Sequence, residues 1–400
     1  MGWLSHQRWT LPRGRLRAAL CVVAAAAGLA ACAGTFQQAG DGNLAPQPGE
    51  APPAAAIGAG QVKVGLILPL SGSASSVAAS MRNAAQLALE EFKNPNIQLL
   101  VKDDAGSPQG AQAAAQQALD EGAEMILGPL FAQSVSAVGQ VARARGVPVI
   151  AFSTDASVAT RGVYLLSFLP ESDVKRIIEF AASRGKRSLA ALLPDNAYGA
   201  VVEAALQQDA SRRGVRLIAL EKYPVDPGRM AETIKRVAQA ANRVDSIFIP
   251  DSADVVPRVV QSLEEAGVNL KREQLLGTGL WEDQRIFSTP ALDGGWYAGP
   301  DPAGYRNFSN RYRARFGQDP VRAAALAYDA VALVAALVKT QGQQRFSEQV
   351  LTNASGFAGI DGIFRFRADG TNERGLAVLR VTPSGGQVIS PAPRSFAPAS

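Results

Sequence analysis

One histidine and two cysteines occur in the 400 residues of this chain, and all three stand near its start, at His6, Cys21 and Cys32. Beyond Cys32 there is no imidazole and no thiol. That excludes Ser-His-Asp triads, Cys-His dyads and His-ligated zinc from the body of the protein. It also excludes an internal disulfide there. No phosphate-binding glycine loop, nucleophile elbow or dinucleotide fingerprint is present. Asp103-Asp104 has no third acid spaced to complete a metal site, so a strand-end turn is the better reading. We expect no enzyme, no cofactor and no metal. No run rich in Lys and Arg follows residue 17, so a nucleic-acid partner has no electrostatic support. The longest apolar stretch, residues 18–31, is shorter than the roughly 20 residues of a membrane-spanning helix.

That stretch is informative for what surrounds it. Arg8, Arg13, Arg15 and Arg17 precede it with no acid, and small residues close it. A basic head, a short apolar core and small residues at the end mark residues 1–31 as a secretory signal. The closing Leu29-Ala30-Ala31-Cys32 resembles the lipobox of bacterial lipoproteins. The resemblance implies cleavage before Cys32 and lipidation of that residue, which would anchor the protein to a membrane. Ala33 and Gly34 follow, without Asp, which suits the outer membrane if the cell has two. Removal of residues 1–31 leaves 36 basic residues against 35 acidic ones, so the net charge of +5 falls to near +1.

Residues 32–60 hold the anchor and an Ala-, Gly- and Pro-rich stretch with little apolar bulk, expected as a flexible periplasmic linker. From Val62 the pattern changes. Short apolar runs alternate with segments of helical periodicity: strand 62–68, helix 77–92, strand 97–101, helix 111–119, strand 125–127, helix 135–145 and strand 147–151. The alternation resumes after Pro170 and continues to residue 277, with Ser172 expected to cap a helix over 174–182. Near-continuous apolar strands alternating with helices imply parallel sheets covered on both faces. Residues 302–316 and 323–339 read as further helices, the first with Tyr305, Phe308, Tyr312 and Phe316 on one stripe, expected as core. Residues 359–366 and 376–381 read as paired strands about an Asp369-Gly370 turn.

Several segments together resemble the type I periplasmic solute-binding proteins of the Leu/Ile/Val-binding kind, which serve ABC transporters. They include Leu70-Ser71-Gly72, Ile126-Leu127-Gly128-Pro129, Gly146-Val147-Pro148-Val149-Ile150, Tyr198-Gly199, Ala327-Tyr328-Asp329-Ala330 and Gly359-Ile360-Asp361-Gly362. The resemblance implies an α/β fold of two doubly wound Rossmann-like lobes joined by a three-crossover hinge. Lobe 1 is expected over 61–168 plus 279–358, and lobe 2 over 169–278 plus 359–392. A small polar ligand, such as an amino acid, would lie between the lobes. A second resemblance, through Gly128-Pro129-Leu130-Phe131-Ala132, Ala151-Phe152-Ser153-Thr154-Asp155 and Leu193-Pro194-Asp195-Asn196-Ala197-Tyr198-Gly199, is to the penicillin-binding protein activator lipoproteins. Those share the fold and are thought to touch a peptidoglycan synthase.

The resemblance carries the candidate ligand-binding residues: Ser71 and Ser73, Phe131 and Ser134, Ser153, Thr154 and Asp155, with Tyr198 and Trp281 from beyond the first crossover. Ala132 falls where a hydroxyl is usual in amino-acid-binding relatives, and Asp155 where Ser or Thr is usual. An acid at 155 would repel a carboxylate but hold an amine. Ser153 and Asp155 fit helix capping equally well. Trp281 fits either stacking on ligand or plugging the hinge. Asp226 and Asp251 read as helix caps or surface acids. Two uses of the fold stay open, solute capture for an ABC permease and regulation of peptidoglycan synthesis through protein contact.

Overall fold

The computed structural model describes residues 56–93, 96–224 and 226–396. The expected signal peptide, Cys32 and most of the linker lie outside the described residues. The folded body starts earlier than residue 61. Ile57 forms an antiparallel bridge with Leu99, with N–H···O distances of 3.0 and 2.8 Å, so the end of the expected linker is an added edge to the first sheet.

The first sheet is built from β1 (Val62–Leu68), β2 (Ile97–Asp103), β3 (Met125–Leu127), β4 (Val149–Ala151) and β5 (Val163–Leu165). All pair in parallel, in the order β2-β1-β3-β4-β5. Between them run α1 (Ser75–Glu91), α2 (Pro108–Asp120) and α3 (Ala132–Ala144). Alternation along β1 sends Val64, Leu66 and Leu68 to the core on the α1 side and Ile67 to the core beneath α2 and α3.

The chain then crosses to a second sheet. Helix α4 (Pro170–Ser183), β6 (Ser188–Pro194), α5 (Ala197–Arg212), β7 (Arg216–Tyr223), α6 (Pro227–Ala241), β8 (Ser246–Phe248), α7 (Val256–Glu265), β9 (Gln274–Gly277), the short α8 (Gln284–Phe287) and β10 (Trp296–Gly299) follow in turn. Helix α4 begins at Pro170, which pre-sets the first-turn dihedral, so Ser172 lies inside the helix and does not cap it.

The return to the first lobe comes after β10. Residues 279–299, expected in lobe 1, belong to lobe 2: β10 pairs with β9, and Trp281, Ile286, Leu292 and Tyr297 lie in the second core. Helices α9 (Pro302–Phe316), α10 (Ala324–Thr340) and α11 (Glu348–Leu351) then pack on the first lobe. Eleven residues of α10 are buried, and its Ala, Val and Leu side chains complete the core around α1. Each fully buried Leu or Val contributes about 1.5–3 kcal/mol. The expected aromatic stripe on α9 is packing, with successive ring centroids 4.8 to 5.9 Å apart.

Three short strands follow: β11 (Phe357–Gly359), β12 (Gly362–Phe366) and β13 (Asn372–Arg374). Their register corrects a second expectation. Across the Asp369-Gly370 turn β12 pairs with β13, and Phe364 and Phe366 bury in the first lobe's core. Residues 359–374 therefore belong with lobe 1. The last strands, β14 (Ala377–Thr382) and β15 (Gly385–Ser390), return to the second sheet, whose order is β15-β14-β10-β9-β8-β6-β7. There β14 pairs antiparallel with β10 and β15.

Three segments, 166–169, 300–301 and 375–376, thus join the lobes. The first and third are stitched together. Asn372 Nδ2 donates to the carbonyls of Leu165 (2.7 Å) and Ser167 (2.9 Å), and Arg374 Nε donates to Ser167 O (2.8 Å). Two guanidinium groups contact the Phe168 ring, Arg374 at 4.6 Å and Arg322 at 4.9 Å from its centroid. Among the described residues no helix is long and apolar enough to cross a membrane.

Candidate functional site

In a parallel sheet every strand ends on the same side, and the loops there are followed by helix N-termini carrying unpaired N–H groups. In lobe 1 the adjacent strands β1, β3 and β4 place three such loops together, at 69–74, 128–131 and 152–155. Hydrogen bonds fix them to one another. Asp103 Oδ1 accepts from the N–H groups of Leu70 (2.8 Å), Ser71 (3.3 Å) and Ala105 (2.8 Å). Burial works against the Asp103 carboxylate, but these donors hold its pKa below the ordinary value. The Asp103-Asp104 pair is thus a strand-end turn that shapes the first loop. Phe152 N donates to Pro129 O at 3.0 Å, which joins the second loop to the third.

Two of the helices that follow are uncapped. The N-cap residues of α1 and α3 are Ala74 and Phe131, neither gives a side-chain hydrogen bond, and neither helix has an acid in its first turn. Free N–H groups and the helix dipole make such ends receptive to an anion. Ser134, in the first turn of α3, is 1% exposed, and its hydroxyl has no hydrogen-bond partner among the described residues. Phe131 beside it is 41% exposed. Ser71 is half-buried and Ser73 exposed.

In the third loop both expected capping bonds form. Ser153 Oγ accepts from Asp155 N at 3.1 Å, and Asp155 Oδ1 accepts from Ser157 N at 2.9 Å. Ser153 is buried, whereas Thr154 and Asp155 stay exposed. Asp155 therefore keeps a free oxygen at the rim while holding its short helix.

Lobe 2 presents a contrasting rim. The adjacent strands β6, β8 and β9 end in loops at 195–196, 249–255 and 278. The Tyr198 hydroxyl lies 3.1 Å from Thr278 Oγ1, and Thr278 is fully buried. Burial, with Asp173 and Asp251 nearby, pushes the Tyr198 phenol well above its ordinary pKa, so it stays protonated. Asp251 accepts from the Tyr223 hydroxyl at 2.5 Å, so it is neither a cap nor a free surface acid. Asp173, in the first turn of α4, accepts from Gly279 N at 2.9 Å, and desolvation raises its pKa to about 7. The sequence reading passed over Asp173 and Thr278. The only signal was position: each falls at the end of an apolar strand or in the first turn of a helix. Asp226 is a cap, accepting from Arg229 N at 3.0 Å.

Trp281 does not join this rim. Its side chain is fully buried and its indole N–H donates to Ile249 O at 3.0 Å. A Cβ at Gly277 would stand 2.2 Å from its ring. It plugs the second core beneath β9, so ligand stacking is ruled out in this arrangement.

A cavity of about 960 Å³ lies between the lobes, lined by none of the rim-loop residues; its wall includes Ala156 and Arg367 from lobe 1 and Glu171, Arg176, Gln208 and Arg212 from lobe 2. It brings the segment just after Asp155 to α4, from Glu171 to Glu179, and to the body of α5, from Val201 to Arg212. None of the nine expected site residues lines it.

The comparisons with known proteins agree with this architecture. A family model described as a periplasmic binding protein matches residues 61–387. A structure from Rhodospirillum rubrum, described as a branched-chain amino acid ABC transporter, is 19% identical with a TM-score of 0.74, covering 82% of this chain and 99% of that one. An ABC transporter substrate-binding protein from Desulfitobacterium hafniense, solved in complex with Leu, is 17% identical with a TM-score of 0.63, covering 82% and 99%. Among curated sequences, an uncharacterized protein of Rickettsia prowazekii (strain Madrid E) is 20% identical over 185 residues, which is 46% of this chain and 49% of that relative. The match spans about half the length of that protein.

Proposed function

We propose that this chain, which belongs to the periplasmic binding protein family, is a non-catalytic extracytoplasmic receptor. It holds a small polar ligand, an amino acid or related carboxylate, between its lobes for an ABC-type importer. The observation that carries this is the opposite polarity of the two rims. Lobe 1 offers two uncapped helix N-termini and the partnerless hydroxyl of Ser134, a setting for a carboxylate. Lobe 2 offers Asp173, Asp251 and the protonated phenol of Tyr198, a setting for an ammonium or hydroxyl group. A zwitterion fits both at once. The Leu bound in the Desulfitobacterium hafniense protein is such a molecule. Ser71, Ser73, Ser153 and Thr154 would complete the lobe 1 contacts to the carboxylate, and Asp155 would face the ligand's ammonium group.

Cys32 would tether this receptor to a membrane, and the mass of the N-terminal peptide of the purified protein tests that. Ligand capture is tested by a thermal-shift screen of the full chain against amino acids, amides, short peptides and aromatic carboxylates. A ligand that binds only the folded state raises the melting temperature by mass action. A flat response across the panel overturns the proposal.

One observation favours the second use of the fold, regulation of peptidoglycan synthesis by contact with a synthase. Phe131 is exposed at the rim, and Ala132 beside it lacks the hydroxyl usual in amino-acid-binding relatives. Retention of a peptidoglycan synthase on the immobilised chain, lost with Phe131→Ala, would support this use. No retained synthase counts against it.

A further inference from the structure

Beyond β15 the chain does not stop at the edge of the second sheet. Residues 391–396 leave that edge, pass the third crossover and reach the first lobe at Phe396. At the root, Arg176 of α4 donates from Nε to Leu376 O (2.8 Å) and from Nη2 to Ser390 Oγ (2.7 Å). One lobe 2 side chain therefore holds both the crossover and the start of the segment. Midway, Pro393 packs on Gly375. A Cβ there would stand 2.7 Å from Ile363 Cγ1, 3.1 Å from Pro393 Cγ and 3.2 Å from its carbonyl oxygen, so a side chain at 375 would push these neighbours aside.

The far end is built just as tightly. The Phe396 ring faces the Arg365 guanidinium, 4.5 Å from centroid to Cζ. Gly356 lies beside the ring at φ +69°, where a Cβ would reach Phe396 Cε2 at 2.8 Å. Arg365 is itself held, by Glu373 Oε2 at 2.7 Å and Ala354 O at 3.0 Å. Glu373 also takes Lys175 of α4 at 3.1 Å, which gives a second link between the lobes beside the first. Pro391, Pro393 and Phe396 form part of the wall of the interlobe cavity described above.

We infer that residues 391–396 are a strap that fastens the two lobes in this arrangement, with Phe396 as the latch and Gly356 and Arg365 as its seat. The strap is a fourth connection, but unlike the three covalent crossovers it can release. Any swing of lobe 2 about the crossovers must carry β15 with it, and so pulls on the five residues that link β15 to the ring in its seat. The strap acts on the lobe equilibrium whether or not a ligand is present.

Hydrogen–deuterium exchange on the full chain tests this, comparing it with the deletion of residues 391–400, with Phe396→Ala and with Phe396→Tyr. The deletion and Phe396→Ala should speed exchange about tenfold at the crossover amides, 165–169 and 374–377, because those segments open when the lobes swing. Phe396→Tyr keeps the ring and should stay at the parental rate. The point variants keep the test valid should the deletion fail to fold. Faster exchange confined to 354–365, with the crossovers unchanged in Phe396→Ala, would reduce the segment to a local cover and overturn the inference.

Discussion

The phenol of Tyr198 and the hydroxyl of Thr278 stand 3.1 Å apart, joining the first turn of α5 to the loop that follows β9. Thr278 is fully buried, so its hydroxyl depends on this partner. Tyr198→Phe should cost about 1–3 kcal/mol in denaturant unfolding, the cost of leaving the buried Thr278 hydroxyl without its partner. It should also weaken ligand binding about tenfold, the equivalent of about 1.4 kcal/mol. Urea titration and calorimetry separate the two effects.

Ser134 behaves in the opposite sense. Its hydroxyl is buried without a partner, which costs the free protein stability. Ser134→Ala should leave the ligand-free protein unchanged or more stable by up to about 1–2 kcal/mol. If the hydroxyl serves the ligand, affinity falls in the same variant. A stabilised protein with unaltered affinity would remove Ser134 from the site.

Trp281 separates core from site. Trp281→Ala should destabilise by about 3–5 kcal/mol, as expected for a large aromatic side chain lost from a packed core. Affinity measured on the folded fraction should change little. Gly277→Ala should be comparably harmful, because the added methyl would overlap the indole. Thermal melts of both variants check this.

Asp329 gives the pH dependence a sign. Burial raises its pKa to about 7, despite a hydrogen bond from Ile360 N at 2.8 Å and the nearby Arg374 guanidinium. In the unfolded chain an Asp ionises near 3.9. Between about pH 4 and 7 the folded protein therefore keeps a proton that the unfolded chain has lost. Stability contributed by this group is greatest below that window and falls as pH rises through it. Asp173, raised to about 7 as well, acts in the same direction. Asp329→Asn should flatten the decline, and urea titrations from pH 4 to 8 measure it.

The alternation of strands and helices was legible because buried parallel strands are near-continuous apolar runs, as in Leu189 to Leu193. The strand-end loops were legible for the same reason. The lobe boundaries were not. Gly277-Thr278-Gly279 has the look of a crossover, while β10, Trp296-Tyr297-Ala298-Gly299, lacks the run of Val, Ile and Leu that marks the other buried strands. Strand β14 was expected to pair with residues 359–366 because they lie near in sequence. Its partners are instead β10 and β15, and only the closure of the second sheet decides that. Ile57 was hidden in an Ala- and Pro-rich stretch, and it is placed by the free edge of β2. Trp281 was ambiguous because an aromatic after a turn suits both a rim and a core. The depth beneath β9, set by the glycine at 277, decides for the core.

Calorimetric titration of the full chain with Leu and with other small amino acids and carboxylates tests the central claim most directly. The two-rim site predicts saturable binding with one ligand per chain, weakened both by Tyr198→Phe in lobe 2 and by Ser134→Ala in lobe 1. Absence of binding across the panel, or binding that neither substitution alters, would contradict it.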